Sequence, residues 1–141
     1  LIKVACEAAL GKRPGLSVYG TDYPTPDGTC IRDYIHVSDL VRAHSAALGH
    51  LRRDGASATF NCGYGRGASV FEVIDAVRRA SGRDFPVEIA PRRAGDPPAL
   101  VADANRIRST LPWQPQFQDL DTIVAHALAW ERKLTGKRPG A

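Results

Sequence analysis

Apolar positions recur along this chain with two periods, and the switches between them mark out its elements. Leu1, Val4, Ala5 and Ala8 share one face of a helix that stops at Gly11, and Leu16 to Tyr19 forms a short strand ending at Gly20. From Ile31 to Val37 the side chains alternate: Ile31, Asp33, Ile35 and Val37 face one way, Arg32, Tyr34 and His36 the other, which predicts a strand. Ser38 or Asp39 then caps a helix in which Leu40, His44, Ala47, Leu48 and Leu51 recur at helical spacing, placing His44 in the core. Ala58 to Cys62 predicts a further strand. Ser69 with Glu72 three residues later is a capping box, and the helix it opens carries Val70, Val73, Ile74 and Val77 and ends at Gly82. Pro86 to Ile89 is a short strand. After a proline-rich loop, Asp103 caps a short helix stopped by Pro112, and a last helix carries Leu120, Ile123, Val124, Ala127, Leu128 and Leu134.

Composition narrows the class without naming a function. The 141 residues suffice for one domain with a single core, and 43% hydrophobic with 24% charged residues is ordinary for a soluble globular protein. No apolar run approaches a membrane span, and no leader pattern opens the chain, so a cytosolic location is the expectation. Cys6, Cys30 and Cys62 are widely spaced and odd in number, which suggests neither a disulfide framework nor a zinc site; no metal ligands are assigned. The net charge of +4 comes from separated basic pairs such as Lys12-Arg13 and Arg52-Arg53, with no stripe interleaved with aromatics, so no nucleic-acid partner is expected. The sequence contains no Met and opens inside a helical pattern, so it reads as a processed piece or a partial sequence. Gly-Lys-Arg-Pro-Gly occurs at 11–15 and again at 136–140, two loops rather than a repeat architecture.

Two stretches carry candidate chemistry. Residues 22–44 run from a loop with Pro24, Pro26 and an Asp27-Gly28 turn into the strand bearing Arg32. A guanidinium on a fixed base suits a bound anion, although an arginine beside an aspartate is equally the pattern of a surface ion pair. Ala90 to Asp103 is an extended, proline-rich loop with Arg92, Arg93 and Asp96. Gly63-Tyr64-Gly65-Arg66-Gly67 imitates a dinucleotide fingerprint but has the spacing G-x-G-x-G, and no acidic strand end follows it, so no cofactor residues are assigned.

The run from Pro24 to Leu40, with Ala90 to Asp103 and the Trp113-Gln114-Pro115 turn, resembles the C-terminal substrate domain of the UDP-glucose 4-epimerases, a branch of the extended short-chain dehydrogenase/reductase superfamily. The resemblance implies an α/β fold of short strands and several helices, without the large N-terminal Rossmann sheet, so that 1–141 is a UDP-sugar-binding domain. It implies that Ser17, Val18 and Tyr19 contact the uracil, that Arg32 and Arg93 hold the diphosphate, that Asp96 binds the ribose hydroxyls, and that Leu100 stands where the sugar is selected. Arg92 receives no such role. In the complete enzyme the resemblance implies NAD chemistry at C4 of a UDP-hexose, interconverting UDP-glucose and UDP-galactose through a 4-keto sugar. No glycine-rich NAD turn and no Tyr-x-x-x-Lys pair occur in this chain, so no catalytic residue is assigned. NAD then belongs to an N-terminal half, which would be a partner of this chain in a homodimeric enzyme, and this piece alone should be inactive. The helices after Ser38 and Ser69 and the strand at 59–62 should face that half. A related sugar-nucleotide epimerase or dehydratase, or a non-catalytic nucleotide-binding module, stays open as an alternative.

Overall fold

Three helices and one strand build the larger core. A computed structural model of the chain describes residues 1–136. In it, α1 (Ile2–Ala9) lies against the helices α3 (Val70–Ser81) and α5 (Leu120–Gly136) and the strand β1 (Leu16–Tyr19), numbered in chain order. They bury Ala5, Cys6, Val18, Ile74, Val77, Val124 and Leu128 in one cluster, closed by Phe85. Each large aliphatic side chain removed from water in this way contributes about 1.5–3 kcal/mol. Local signals set the helix ends: α3 starts with Ser69 Oγ accepting the Glu72 N–H at 3.1 Å and Glu72 Oε2 accepting the Ser69 N–H at 2.6 Å. It ends at Gly82, which adopts the left-handed conformation with φ +66°.

The strands are short and form two small sheets. β1 pairs in parallel with β4 (Val87–Ala90), from Leu16↔Val87 to Tyr19↔Ala90. β2 (Ile31–Arg32) is central in the other, antiparallel to β3 (Ala68–Ser69) and parallel to β5 (Ala99–Leu100), with Arg32 in register with Ala68 and Leu100. A second, smaller cluster unites Ala43 of α2 (Val37–Arg52) with Ile107 of α4 (Asn105–Thr110), and with Ala104, Leu111 and Trp113. The α/β class expected from the sequence holds, with no large sheet among the described residues.

Four local expectations fail. The strand expected over 31–37 is only two residues long: the Asp33 N–H still reaches the Leu100 carbonyl at 3.2 Å, but the Asp33 carboxylate takes the N–H groups of Tyr64 and Gly65 at 3.0 Å and of Ala102 at 3.3 Å, and α2 begins at Val37. His36, not Ser38 or Asp39, caps α2, its Nδ1 accepting the Ser38 N–H at 3.0 Å. Residues 58–62 form no strand, for none lies beside them among the described residues; Phe60 and Cys62 pack on the smaller cluster instead. His44 is exposed, its Nδ1 beside the Leu40 carbonyl at 2.8 Å. α2 is apolar on two faces, and the buried one holds Asp39 and Ala43, leaving Val41, Leu48 and Leu51 more than half exposed at 57%, 51% and 52%. The stripe of α3 differs from the expectation too: Val73, Ile74 and Val77 are covered within the chain itself. The copy of Gly-Lys-Arg-Pro-Gly that begins at Gly136 lies, beyond its first residue, outside the described residues.

Candidate functional site

The loop that leads into Arg32 is built to keep still. Gly28 sits at φ +79°, and a Cβ there would stand 2.1 Å from the Thr21 carbonyl oxygen, so no other residue fits. Asp27 Oδ1 accepts from the Thr29 N–H at 2.9 Å and the Thr29 hydroxyl at 2.8 Å, while Oδ2 accepts from the Ser69 hydroxyl. Thr29 is fully buried and its Oγ1 accepts the Val70 N–H at 3.1 Å. The loop is thereby fastened to the start of α3, and β2 leaves it with a fixed direction. Arg32 Nη1 donates to the carbonyls of Ile31 at 2.8 Å and Pro97 at 2.9 Å, which orient the guanidinium. Its Nη2 faces Asp96 Oδ1 at 3.4 Å.

Arg32 opens onto a cleft of about 510 Å3 between the two small sheets. Ser17, Val18, Tyr19, Arg32, Arg93 and Asp96, the candidates drawn from three separate stretches of sequence, all line it. Val18 is 1% exposed, so it offers the cleft little more than backbone. Arg93 lies over the Tyr19 ring, its Cζ 3.7 Å from the centroid. Asp96 donates its N–H to the Arg93 carbonyl at 3.3 Å across a turn whose Gly95 has φ +82°, so these two side chains project from one tight bend. Leu100 is in register with Arg32 on the adjacent strand but is not part of this lining; it is 62% exposed. Arg92 is held elsewhere, by Asp22 Oδ1 at 2.6 Å and over the Tyr23 ring.

Among the lining residues that escaped the sequence reading are Tyr34, Cys30 and Arg13. Tyr34 follows Arg32 by two positions, and the alternation that put both on one side was the signal. Burial pushes its phenol up to about 12 against the opposing charge of Arg32, so it is a neutral O–H donor at any ordinary pH. Cys30 and Arg13 also line the cleft, and neither carried a signal. Hollows of about 430 and 630 Å3 lie elsewhere. Of their cations, Arg79 is paired with Asp121, Arg66 with the Gln118 carbonyl and Arg42 with Asp39. The candidate residues converge on the cleft between the sheets and on neither of these hollows.

A buried polar cluster fixes the far side of β2. Asp39 is fully buried and accepts from the Phe117 N–H at 2.9 Å, the Gln116 N–H at 3.0 Å and the Tyr64 hydroxyl at 2.8 Å. Burial opposes its ionisation, yet these donors hold the carboxyl below the ordinary aspartate range. Tyr64 also accepts the His36 N–H at 3.0 Å, and the Trp113 indole donates to the Asp39 carbonyl at 2.9 Å. These bonds tie the start of α2, the 63–67 turn and the approach to α5 into one unit.

The glycines at 63–67 serve packing rather than a cofactor. A Cβ on Gly63 would stand 2.5 Å from Asp33 Oδ2, and one on Gly67 would stand 2.3 Å from Ile31 Cγ2. The helix beyond begins at Val70 with its first N–H groups taken by Ser69, Glu72 and Thr29. A dinucleotide phosphate needs free N–H groups at a helix start behind open glycines, and this turn does not fit one. Among the described residues no group of three or more His, Cys, Asp or Glu is placed to hold a metal ion, and no helix is long and apolar enough to cross a membrane.

Residues 1–63 match the NAD dependent epimerase/dehydratase family. The chain is 63% identical over 134 residues to a UDP-glucose 4-epimerase of Azospirillum brasilense, a match spanning 95% of this chain and 38% of the relative. Over nearly its whole length the chain is thus similar to part of a UDP-glucose 4-epimerase. Among solved structures, the UDP-Glc/GlcNAc 4-epimerase of Campylobacter jejuni superposes with a TM-score of 0.84 at 55% identity, over 94% of this chain and 40% of that one. The UDP-glucose 4-epimerase of Bifidobacterium longum, solved in complex with NAD+ and UDP, gives 0.87 at 41% identity, over 94% of this chain and 39% of that one. The chain thus spans about two fifths of the length of the epimerase family members it matches.

Proposed function

We propose that this chain is the UDP-anchoring part of a UDP-glucose 4-epimerase, an isomerase that interconverts UDP-glucose and UDP-galactose. The supporting observation is the convergence of Ser17, Val18, Tyr19, Arg32, Arg93 and Asp96 on one cleft from stretches far apart in sequence. In this reading the Ser17–Tyr19 backbone meets the uracil, Arg32 and Arg93 neutralise the diphosphate from two sides, and Asp96 accepts from the ribose hydroxyls. Tyr34, neutral and beside Arg32, adds a hydroxyl donor on the same floor. Anchoring the nucleotide firmly leaves the hexose free to present either face to a reaction carried out by groups outside this chain.

NAD belongs to those other groups, since the one glycine-rich turn here is closed by packing. The exposed apolar face of α2, with Val41, Leu48 and Leu51, is where the remainder of the enzyme packs. Leu100, beside Arg32 and exposed, faces the sugar and is small enough to admit an N-acetyl group in part. Calorimetric titration of the complete gene product with UDP tests the reading: saturable binding that is lost in Arg32→Ala supports it, and binding indifferent to Arg32 and Arg93 sinks it.

A further inference from the structure

Arg32 is arranged as a half-committed cation. Nη1 is taken by two backbone carbonyls, whereas Nη2 meets only Asp96, at 3.4 Å, longer than the 2.7–2.9 Å usual for a charge-assisted bond. The two side chains are 24% and 36% exposed, so water and solutes reach the pair. Asp96 thus stands where its negative charge faces any anion that docks on the guanidinium.

We propose that Asp96 is a specificity filter, which makes the cleft discriminate against anions that lack a ribose. This deepens the proposed role of the cleft in nucleotide binding and rests on it. An anion that docks on Arg32 competes with Asp96 for Nη2 and sets its own negative charge beside that carboxylate. A nucleoside diphosphate returns hydroxyl donors to that carboxylate, and the repulsion is offset by two O–H bonds. Inorganic pyrophosphate or a polyphosphate returns nothing and meets only repulsion. Arg93 and Asp96 leave the same tight turn, so the second cation and the carboxylate serve one ligand together. Asp96 selects by what it withholds from the wrong ligand as much as by what it binds in the right one.

The test is the sign of two changes in the complete gene product, with inorganic pyrophosphate and UDP as probes. Asp96→Asn keeps the size and removes the charge; it should tighten pyrophosphate by about threefold or more while weakening UDP by about tenfold. Asp96→Ala, which offers no new donor, should move both ligands in the same directions. Opposite signs cannot come from a damaged fold. Weakening of both ligands would make Asp96 a brace for its loop and overturn the filter, as would unchanged pyrophosphate affinity. If the unaltered protein fails to bind UDP, the nucleotide reading itself falls; if it binds UDP and only the pyrophosphate result fails, the filter alone does.

Discussion

Arg92 and Arg93 are adjacent in the chain yet cover different rings: the Arg92 guanidinium lies 4.2 Å from the Tyr23 ring centre, the Arg93 guanidinium 3.7 Å from that of Tyr19. Tyr19 borders the cleft, whereas Tyr23 is buried behind the loop and Arg92 is held there by Asp22. Arg93→Ala should therefore weaken UDP binding by about 10- to 100-fold, with Arg32→Ala similar and Arg32→Lys intermediate because the fork is lost while the charge stays. Arg92→Ala should leave the affinity nearly unchanged. Titration of the four variants decides this, and equal losses for Arg92 and Arg93 would refute the assignment.

The capping histidine should make stability fall with acid. His36 Nδ1 accepts an N–H, so its proton sits on Nε2, which faces His126 Nδ1 at 3.0 Å. Burial lowers its pKa, helped by His126 and Arg42 and opposed by Asp39. The unfolded chain then binds more protons just below the ordinary histidine value of about 6.5, so this contribution is intact above that pH and is lost as pH falls toward the folded-state pKa. Melting temperature should drop from pH 7 to pH 5. His36→Asn, which can still cap, should flatten that slope, and an unaltered slope would assign it to other groups.

Removing the Tyr64 hydroxyl strips Asp39 of one buried donor and the His36 N–H of its acceptor. Tyr64→Phe should lower stability by about 1–3 kcal/mol in chemical denaturation. A loss near zero would mean that solvent replaces the hydroxyl.

Val41 and Leu48 lie outward on α2 with nothing over them among the described residues. The isolated chain should self-associate through this face, and Val41→Lys with Leu48→Lys should shift it to monomer in sedimentation measurements. The same pair of changes in the complete gene product should destabilise it. Monomeric behaviour before substitution would remove the argument.

Leu100 should set sugar choice. The complete gene product should prefer UDP-glucose and UDP-galactose while turning over N-acetylated substrates more slowly, and Leu100→Tyr should depress the N-acetylated rate selectively, measured as kcat/KM for each. Equal turnover of both classes before substitution would contradict this.

For α3 the governing partners lie within one helical turn, and there the sequence by itself determined the outcome. Ser69 and Glu72, three residues apart, cap α3, and Gly82 ends it, because these bonds and conformations are local. The candidates Arg32, Arg93 and Asp96 were legible from their residue types and from a family resemblance, but the sequence did not say that they share a cleft. Tertiary structure decided that, by setting β2 beside β5 so that Pro97 and Asp96 reach the Arg32 guanidinium. It also ended the expected strand after Arg32, where the Asp33 carboxylate engages Tyr64, Gly65 and Ala102, partners invisible to any local pattern. It turned Ala43 inward and His44 outward on a helix apolar on two faces, where Asp39 finds donors at Gln116 and Phe117 on one side only. Periodicity states which residues share a face. Which face is buried depends on where distant backbone donors stand, since a buried carboxylate left without them would be too costly to keep.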